Sequence, residues 1–221
     1  MPLTIHCNYL VNLATLDPVI REKSVISFRG ELDRAAMIGA EYLVLHPGNY
    51  RGQCLQEGLA AFVLGLAEAA EGFRAPGLTV LIENTVGSGT QIGGRFEDLR
   101  AIRDLAARET DLAIGYCIDT CHLLASGHDV ASAAGLEKTV AAIDRTLGLE
   151  LVRVIHANDS KGALGSHLDR HANIGAGKIG ESGFRGILTH AGLRSKPFIL
   201  ETPMDDGWDR RDVDALKRLS S

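Results

Sequence analysis

The strongest constraint on this chain is an alternation. Short apolar runs of strand length recur between longer segments of helical periodicity. The runs lie near 2–6 (PLTIH), 42–46 (YLVLH), 79–83 (TVLIE), 113–119 (AIGYCID), 151–156 (LVRVIH) and 197–201 (PFILE). Between them, apolar residues fall three and four apart. One set is Val25, Phe28, Leu32 and Ala35; another is Leu55, Leu59, Phe62 and Leu66; a third is Leu136, Val140, Ile143 and Leu147. Phe96, Leu99 and Ile102 repeat the pattern, and Val213, Leu216 and Leu219 do so on a last helix near 207–219. Such spacing places each set on one helix face. Strands that are apolar almost throughout need cover on both sides, and helices alternating with parallel strands provide it. The pattern predicts an α/β chain of six strand–helix units. No linker, low-complexity tract or charge run divides it. With 221 residues, 45% of them hydrophobic, the expectation is a single domain over 1–221.

Each of the six runs ends on a residue that can bind a metal: His6, His46, Glu83, Asp119, His156 and Glu201. In a parallel α/β barrel the C-terminal strand ends share one face, where active sites sit. A single His or Glu at a strand end is ordinarily a helix cap or a surface residue. Six of them are harder to explain that way, because capping has no reason to choose His and Glu over Ser, Thr and Asn. The stretch CIDTCH at 117–122 adds His122 three residues after Asp119, along with Cys117 and Cys121. The Gly-rich stretch LDRHANIGAGKIG at 168–180 adds Asp169 and His171. Imidazole with carboxylate, and no Cys pair, suits zinc and also manganese or iron.

Other functions are disfavoured. A net charge of −5 carries no basic footprint for nucleic acid. No apolar run is long enough to span a bilayer. The opening MPLTIHCNYLVNL lacks the basic n-region and small-residue cleavage site of a signal peptide. Cys7, Cys54, Cys117 and Cys121 are few and irregularly spaced, which predicts a reduced cytoplasmic protein rather than a disulfide scaffold.

HPGN, IENTVGSG, CIDTCH, HANDSKGALGSHLDRHANIG and ILETP together resemble the endonuclease IV family of apurinic/apyrimidinic endonucleases. The resemblance runs over essentially the whole chain. It implies a TIM-barrel (xylose isomerase-like) fold with three zinc ions at the C-terminal face, manganese being an option at one position. It further implies cleavage of the phosphodiester on the 5′ side of abasic sites in double-stranded DNA, and removal of blocking groups from 3′ ends. All nine ligand positions have a counterpart. By resemblance His6 and His46 bind the first ion, and Glu83 bridges it to the second. Asp119, His156 and Glu201 complete the second, and His122, Asp169 and His171 hold the third. Cys117 and Cys121 then fall outside coordination, as small buried side chains.

The chemistry suits phosphodiester hydrolysis. A metal-bound water has its pKa lowered to about 7, and two ions about 3.5–4 Å apart can share the resulting hydroxide, with Glu83 as the bridging catalytic carboxylate. Three dications would bring the formal charge of −5 to about +1, concentrated at the site. Arg170, between two ligands, is the leading candidate for phosphate contact, followed by Lys161 and Lys178; the alternative for each Lys is an ordinary solvated side chain. Tyr9 is a candidate to flank a nucleotide displaced from the helix, or else a packing residue. His128, His167 and His190 match no ligand position and read as loop or helix-end residues. Gly87 and Gly89 read as a tight turn rather than a phosphate loop.

The chain departs from the family in offering six units where a TIM barrel has eight and about 250 residues. The resemblance begins at the family's third strand. A barrel without two adjacent strands has open edges, and exposing an apolar side chain forfeits about 1.5–3 kcal/mol against a whole-domain stability of about 5–15 kcal/mol. The expectation is an incomplete gene product or fragment, monomeric when full length, whose edge near 2–6 is unstable unless something covers it. Two rival functions stand beside the nuclease. A single-metal sugar isomerase or epimerase would need only Glu83, Asp119, His156 and Glu201. A non-catalytic fragment would bind zinc or damaged DNA without cutting it.

Overall fold

The computed structural model describes residues 2–204 and 208–221. The expected alternation is present. Strand β1 (Thr4–His6) precedes helix α1 (Pro18–Met37), β2 (Tyr42–Leu45) precedes α2 (Leu55–Ala69), and β3 (Thr79–Glu83) precedes α3 (Phe96–Glu109). Strand β4 (Ala113–Asp119) leads into a short α4 (Thr120–Ala125) and then α5 (Ala133–Leu147). Next come β5 (Val152–His156), the two-residue strands β6 (Asp159–Ser160) and β7 (His171–Ala172), α6 (Gly180–Thr189), β8 (Phe198–Ile199) and α7 (Trp208–Leu219). All six predicted strands are found; those near 2–6, 42–46, 151–156 and 197–201 are trimmed at their ends. The predicted last helix included position 207, which lies outside the described residues.

The contacts gather into two compact units. The first comprises 1–83 and 89–117, the second 84–88 and 118–221. In the first unit β1, β2, β3 and β4 pair in chain order, all parallel, with Leu45 opposite Ile82 and Glu83 opposite Cys117. Leu43, Val44 and Leu45 of β2 and Val80, Leu81 and Ile82 of β3 are at most 1% exposed, so both faces of these strands are covered. The predicted helix stripes supply that cover: Val25, Phe28, Leu32 and Ala35 of α1 are buried, as are Leu59, Phe62 and Leu66 of α2 and Phe96, Leu99 and Ile102 of α3. Leu55, at the start of α2, is only half-buried. Helix α1 begins where it does because Asp17 accepts from the backbone N–H groups of Val19 and Ile20 while Pro18 opens the first turn. β1 is the end strand of this order. Leu3, just before β1, and Leu10, just after it, are exposed.

In the second unit β5 pairs parallel with β8, His156 opposite Ile199. β6 and β7 form a small antiparallel pair, Ser160 opposite His171. Helix α5 buries Leu136, Val140, Ile143 and Leu147 as predicted. Two elements differ from expectation. Helix α6 has no counterpart in the periodicity reading, because GESGFRGILT carries three glycines and scores poorly as a helix. Two of those glycines permit close packing: a Cβ on Gly183 would stand 2.7 Å from the Ile179 side chain and 3.1 Å from the Val130 carbonyl, and one on Gly186 3.1 Å from the Leu136 side chain. On α7, Val213 is 40% exposed, contrary to its predicted core role. The inward position is Asp212, 1% exposed, which accepts from Asn173 Nδ2 at 2.8 Å and from the Ile174 N–H at 2.9 Å.

Candidate metal centre

Strand register brings the first group of ligands together. His46 follows Leu45 and Glu83 follows Ile82, and Leu45 and Ile82 are register partners. Four of the six candidates end their strands; His46 stands one residue beyond β2, and Glu201 two beyond β8. In the first unit the Nε2 atoms of both His6 and His46 face one oxygen, Glu83 Oε2, at 3.0 and 2.9 Å. Glu83 is fully buried. His46 is held in place by the HPGN turn. Gly48 has φ +82°, and the Asn12 side chain accepts from the Asn49 N–H at 3.0 Å just behind it.

The second unit gathers the other ligands. Asp119 ends β4 and also caps α4, its Oδ1 accepting from the His122 N–H at 2.7 Å. Of the two readings of CIDTCH the cap is thus realised, and Asp119 Oδ2 stays within reach of His171 as a candidate ligand atom. His122 Nε2 lies 3.3 Å from Asp169 Oδ1, and His171 Nε2 lies 3.6 Å from the same atom and 3.8 Å from Asp119 Oδ2. His156 Nδ1 lies 3.2 Å from Glu201 Oε2. Among the described residues, sets within single units whose candidate ligand atoms lie mutually within 4.8 Å include His6, His46 and Glu83; His122, Asp169 and His171; and Asp119, Cys121 and His171.

The proton positions test whether these groups fit a metal. His6 Nδ1 lies 2.7 Å from the Cys7 carbonyl, His122 Nδ1 2.9 Å from the Asn84 carbonyl, and His171 Nδ1 3.1 Å from the Glu201 carbonyl. A carbonyl only accepts, so each Nδ1 carries a hydrogen, and in the neutral imidazole Nε2 then presents a lone pair. Nε2 of His6 and of His122 faces a carboxylate oxygen, while the buried Nε2 of His171 has no hydrogen-bond partner among the described residues. Such pairs accommodate either a proton or a metal cation between imidazole and carboxylate. In a tetrahedral zinc site, bonds of about 2.0–2.1 Å set neighbouring ligand atoms about 3.3 Å apart, close to the 3.3 and 3.6 Å around Asp169. The residues fit a zinc-type ion, with backbone carbonyls orienting the imidazoles as metal sites require.

Cys121 shares the neighbourhood, but its thiol donates to the Arg170 carbonyl at 3.8 Å. Burial, and then the Asp119 charge, push its pKa up to about 12. Cys117 is fully buried. Both behave as the small buried side chains expected. His128 and His167 lie in loops; His167, with φ 53°, has Nδ1 2.6 Å from the Val86 carbonyl. His190 ends α6. Gly87 and Gly89 have φ of 66° and 58°, consistent with a tight turn.

The three basic candidates share one loop cluster. Lys161 N–H donates to the Arg170 carbonyl at 2.9 Å, and Lys178 N–H donates to the Ser160 carbonyl at 2.7 Å. All three side chains are exposed. Tyr9 is 81% exposed, which removes the packing alternative, and Leu10 beside it is 69% exposed. Sequence reasoning missed the amides that brace the ligands. Asn84 Oδ1 accepts from the Asp119 N–H at 2.7 Å, and Asn158 contacts both Asp119 and Glu201. Their signal was visible: each follows within two residues of a strand-end ligand, in IENT and HAND. Asp159 was also missed.

Parallel strands that carry candidate metal ligands at or just past their C-terminal ends, alternating with helices, belong to the class of α/β barrels. The family described as xylose isomerase-like TIM barrel matches residues 1–219. Within that class the chain belongs to the endonuclease IV family. It is 62% identical over 220 residues to a protein named probable endonuclease 4 from Solibacter usitatus, spanning 99% of this chain and 76% of that one. It is 42% identical to the probable endonuclease 4 of Halothermothrix orenii, over 99% of this chain and 77% of that one. Among solved structures, endonuclease IV from Thermus thermophilus superposes with a TM-score of 0.84 at 37% identity, over 99% of this chain and 75% of that chain. A D-tagatose 3-epimerase-like protein superposes with a TM-score of 0.72 at 20% identity, over 99% of this chain and 77% of that chain, a likeness of fold alone.

Proposed function

We propose that this chain is a zinc-dependent DNA repair endonuclease that hydrolyses the phosphodiester 5′ to abasic sites in double-stranded DNA and also clears blocked 3′ ends. The observation that carries the reading is the clustering of imidazole Nε2 atoms against carboxylates within each unit, in a chain whose relatives are named endonucleases. His6, His46, Glu83, Asp119, His122, His156, Asp169, His171 and Glu201 are the proposed ligands, for three zinc ions or two with manganese. When bound, such ions supply a nucleophile at neutral pH and positive charge against the phosphate. Glu83, buried between two imidazoles, is the carboxylate assigned the catalytic role. Arg170, Lys161 and Lys178 contact phosphates along the strand, as an exposed basic cluster beside His171 favours. Tyr9 flanks the displaced nucleotide, its exposed ring offering a stacking face. On this reading residues 1–221 belong to one TIM-barrel-type domain acting on DNA in the reduced cytoplasm, the full-length protein being a monomer.

The isomerase reading needs one metal and has no use for the group of His122, Asp169 and His171, whose geometry matches a further site. The test is incision of a duplex carrying one abasic site. Cleavage 5′ to the lesion should occur with zinc, stop on chelation and return with added zinc, and Glu83→Gln should abolish it. Interconversion of keto-sugars without incision would establish the isomerase instead, and tight binding to the abasic duplex without incision would establish a non-catalytic binder.

A further inference from the structure

We infer that Asn158 is a positioning residue for the metal centre: its amide fixes the orientation of two ligand carboxylates, Asp119 and Glu201. The inference rests on the metal-centre reading above. Asn158 is fully buried. Its Nδ2 donates to Asp119 Oδ2 at 2.5 Å and to Glu201 Oε2 at 3.3 Å, while its Oδ1 accepts from the Glu201 N–H at 2.8 Å. The amide cannot be reversed, because the Glu201 N–H only donates and the carboxylates only accept. The Asn158 backbone is clamped in turn. Its N–H donates to Thr120 Oγ1 at 3.0 Å, and the Thr120 hydroxyl donates to the Asn158 carbonyl at 2.7 Å.

The consequence falls on Asp119. Its Oδ1 accepts from the His122 N–H and its Oδ2 from Asn158 Nδ2. With one donor on each oxygen, the carboxyl plane cannot rotate, and the remaining lone pairs have fixed directions. One amide thus ties a ligand that ends β4 to a ligand 82 positions later in the chain, beyond β8, and sets how far apart their carboxylates stand. A residue that merely filled space or satisfied one buried group would not need to face two ligands with one nitrogen. Partners of this kind hold metal ligands in the geometry the ion demands, and losing one costs about 10- to 100-fold in affinity.

The test uses the full chain. Wild type, Asn158→Ala and Asn158→Asp are compared by zinc titration against a chromophoric chelator, by the visible spectrum after cobalt substitution, and by urea unfolding of the metal-free chain. Asn158→Asp keeps the side-chain volume and the acceptor for the Glu201 N–H but turns the donor into an oxygen facing two carboxylates, so it isolates loss of the donor, and metal-free unfolding shows which variant remains folded for the comparison. The expected result is a fall in zinc affinity of about 10- to 100-fold and an altered cobalt spectrum in a variant that still folds. A folded variant with wild-type affinity and spectrum would overturn the inference while leaving the metal centre standing. A wild-type chain that takes up no zinc or cobalt would overturn the metal-centre reading and this inference with it.

Discussion

Asp159 offers the sharpest check on how the loop carrying His171 is held. Its side chain is fully buried and accepts five backbone N–H groups. Oδ1 takes those of Ser160 at 2.8 Å and Ile179 at 2.9 Å. Oδ2 takes those of Gly175 and Gly177 at 3.0 Å and Gly180 at 3.2 Å. The loop from β7 to α6 is therefore organised around one carboxylate. In Asp159→Asn one oxygen becomes an NH₂, and the least damaging orientation keeps the three bonds at Oδ2 and loses the two at Oδ1. Each buried donor left unmet costs about 1–3 kcal/mol, so two cost about 2–6 kcal/mol. Loss of a buried charge offsets part of this, leaving about 3 kcal/mol. At about 2–4 °C per kcal/mol for a chain of this size, the melting temperature should fall by about 6–12 °C. Asp159→Ala, which abandons all five donors, should fall further. Differential scanning calorimetry of the three proteins, with zinc content measured alongside, decides the matter. If Asp159→Asn melts within about 1 °C of wild type, the loop is held by something else and the account is wrong.

Three further outcomes are expected. Gly48→Ala should lower both stability and zinc content: the left-handed backbone costs about 1–2 kcal/mol for a residue with a side chain, and its Cβ would collide with Asn12 Oδ1, which anchors the turn behind His46; urea unfolding and metal analysis read both. Ser132→Ala should destabilise by about 1 kcal/mol through loss of the α5 cap. The Ser132 hydroxyl also lowers the Asp129 pKa; a depressed carboxyl stabilises the fold above its unfolded value of about 3.9 and loses that effect as pH falls through its folded value, so the gap between wild type and Ser132→Ala should narrow below about pH 4 in urea titrations. Removing metal with a chelator should lower the melting temperature and restoring zinc should raise it again, because an ion that binds only the folded chain stabilises it by mass action; a melting temperature indifferent to both would speak against any bound metal.

The chain's periodicity determined a good deal by itself. Alternation at periods near two and 3.6 located all six strands and five helix stripes, because burial on a sheet or helix face is imposed by neighbours a few residues away. Six of the candidate ligands were legible for a related reason: His6, His46, Glu83, Asp119, His156 and Glu201 lie at or just past a strand end, where side chains of that chemistry stand out from the apolar run. The failures have a physical cause too. Helix α6 was invisible because its glycines suit close packing rather than helix propensity. Val213 was misplaced because a buried Asp212, satisfied by Asn173 and Ile174, took the inward position. What only the tertiary structure decided is polar pairing. Which nitrogen of His6, His122 and His171 holds the proton depends on a carbonyl that, for His122 and His171, lies 38 and 30 residues away. That Asn158 faces two carboxylates, or that Lys161, Arg170 and Lys178 share a loop cluster, leaves no periodic trace in the sequence. Hydrophobic burial is additive and non-directional, so it writes a local pattern; a hydrogen bond needs one atom at one distance and angle, and only the folded chain supplies it.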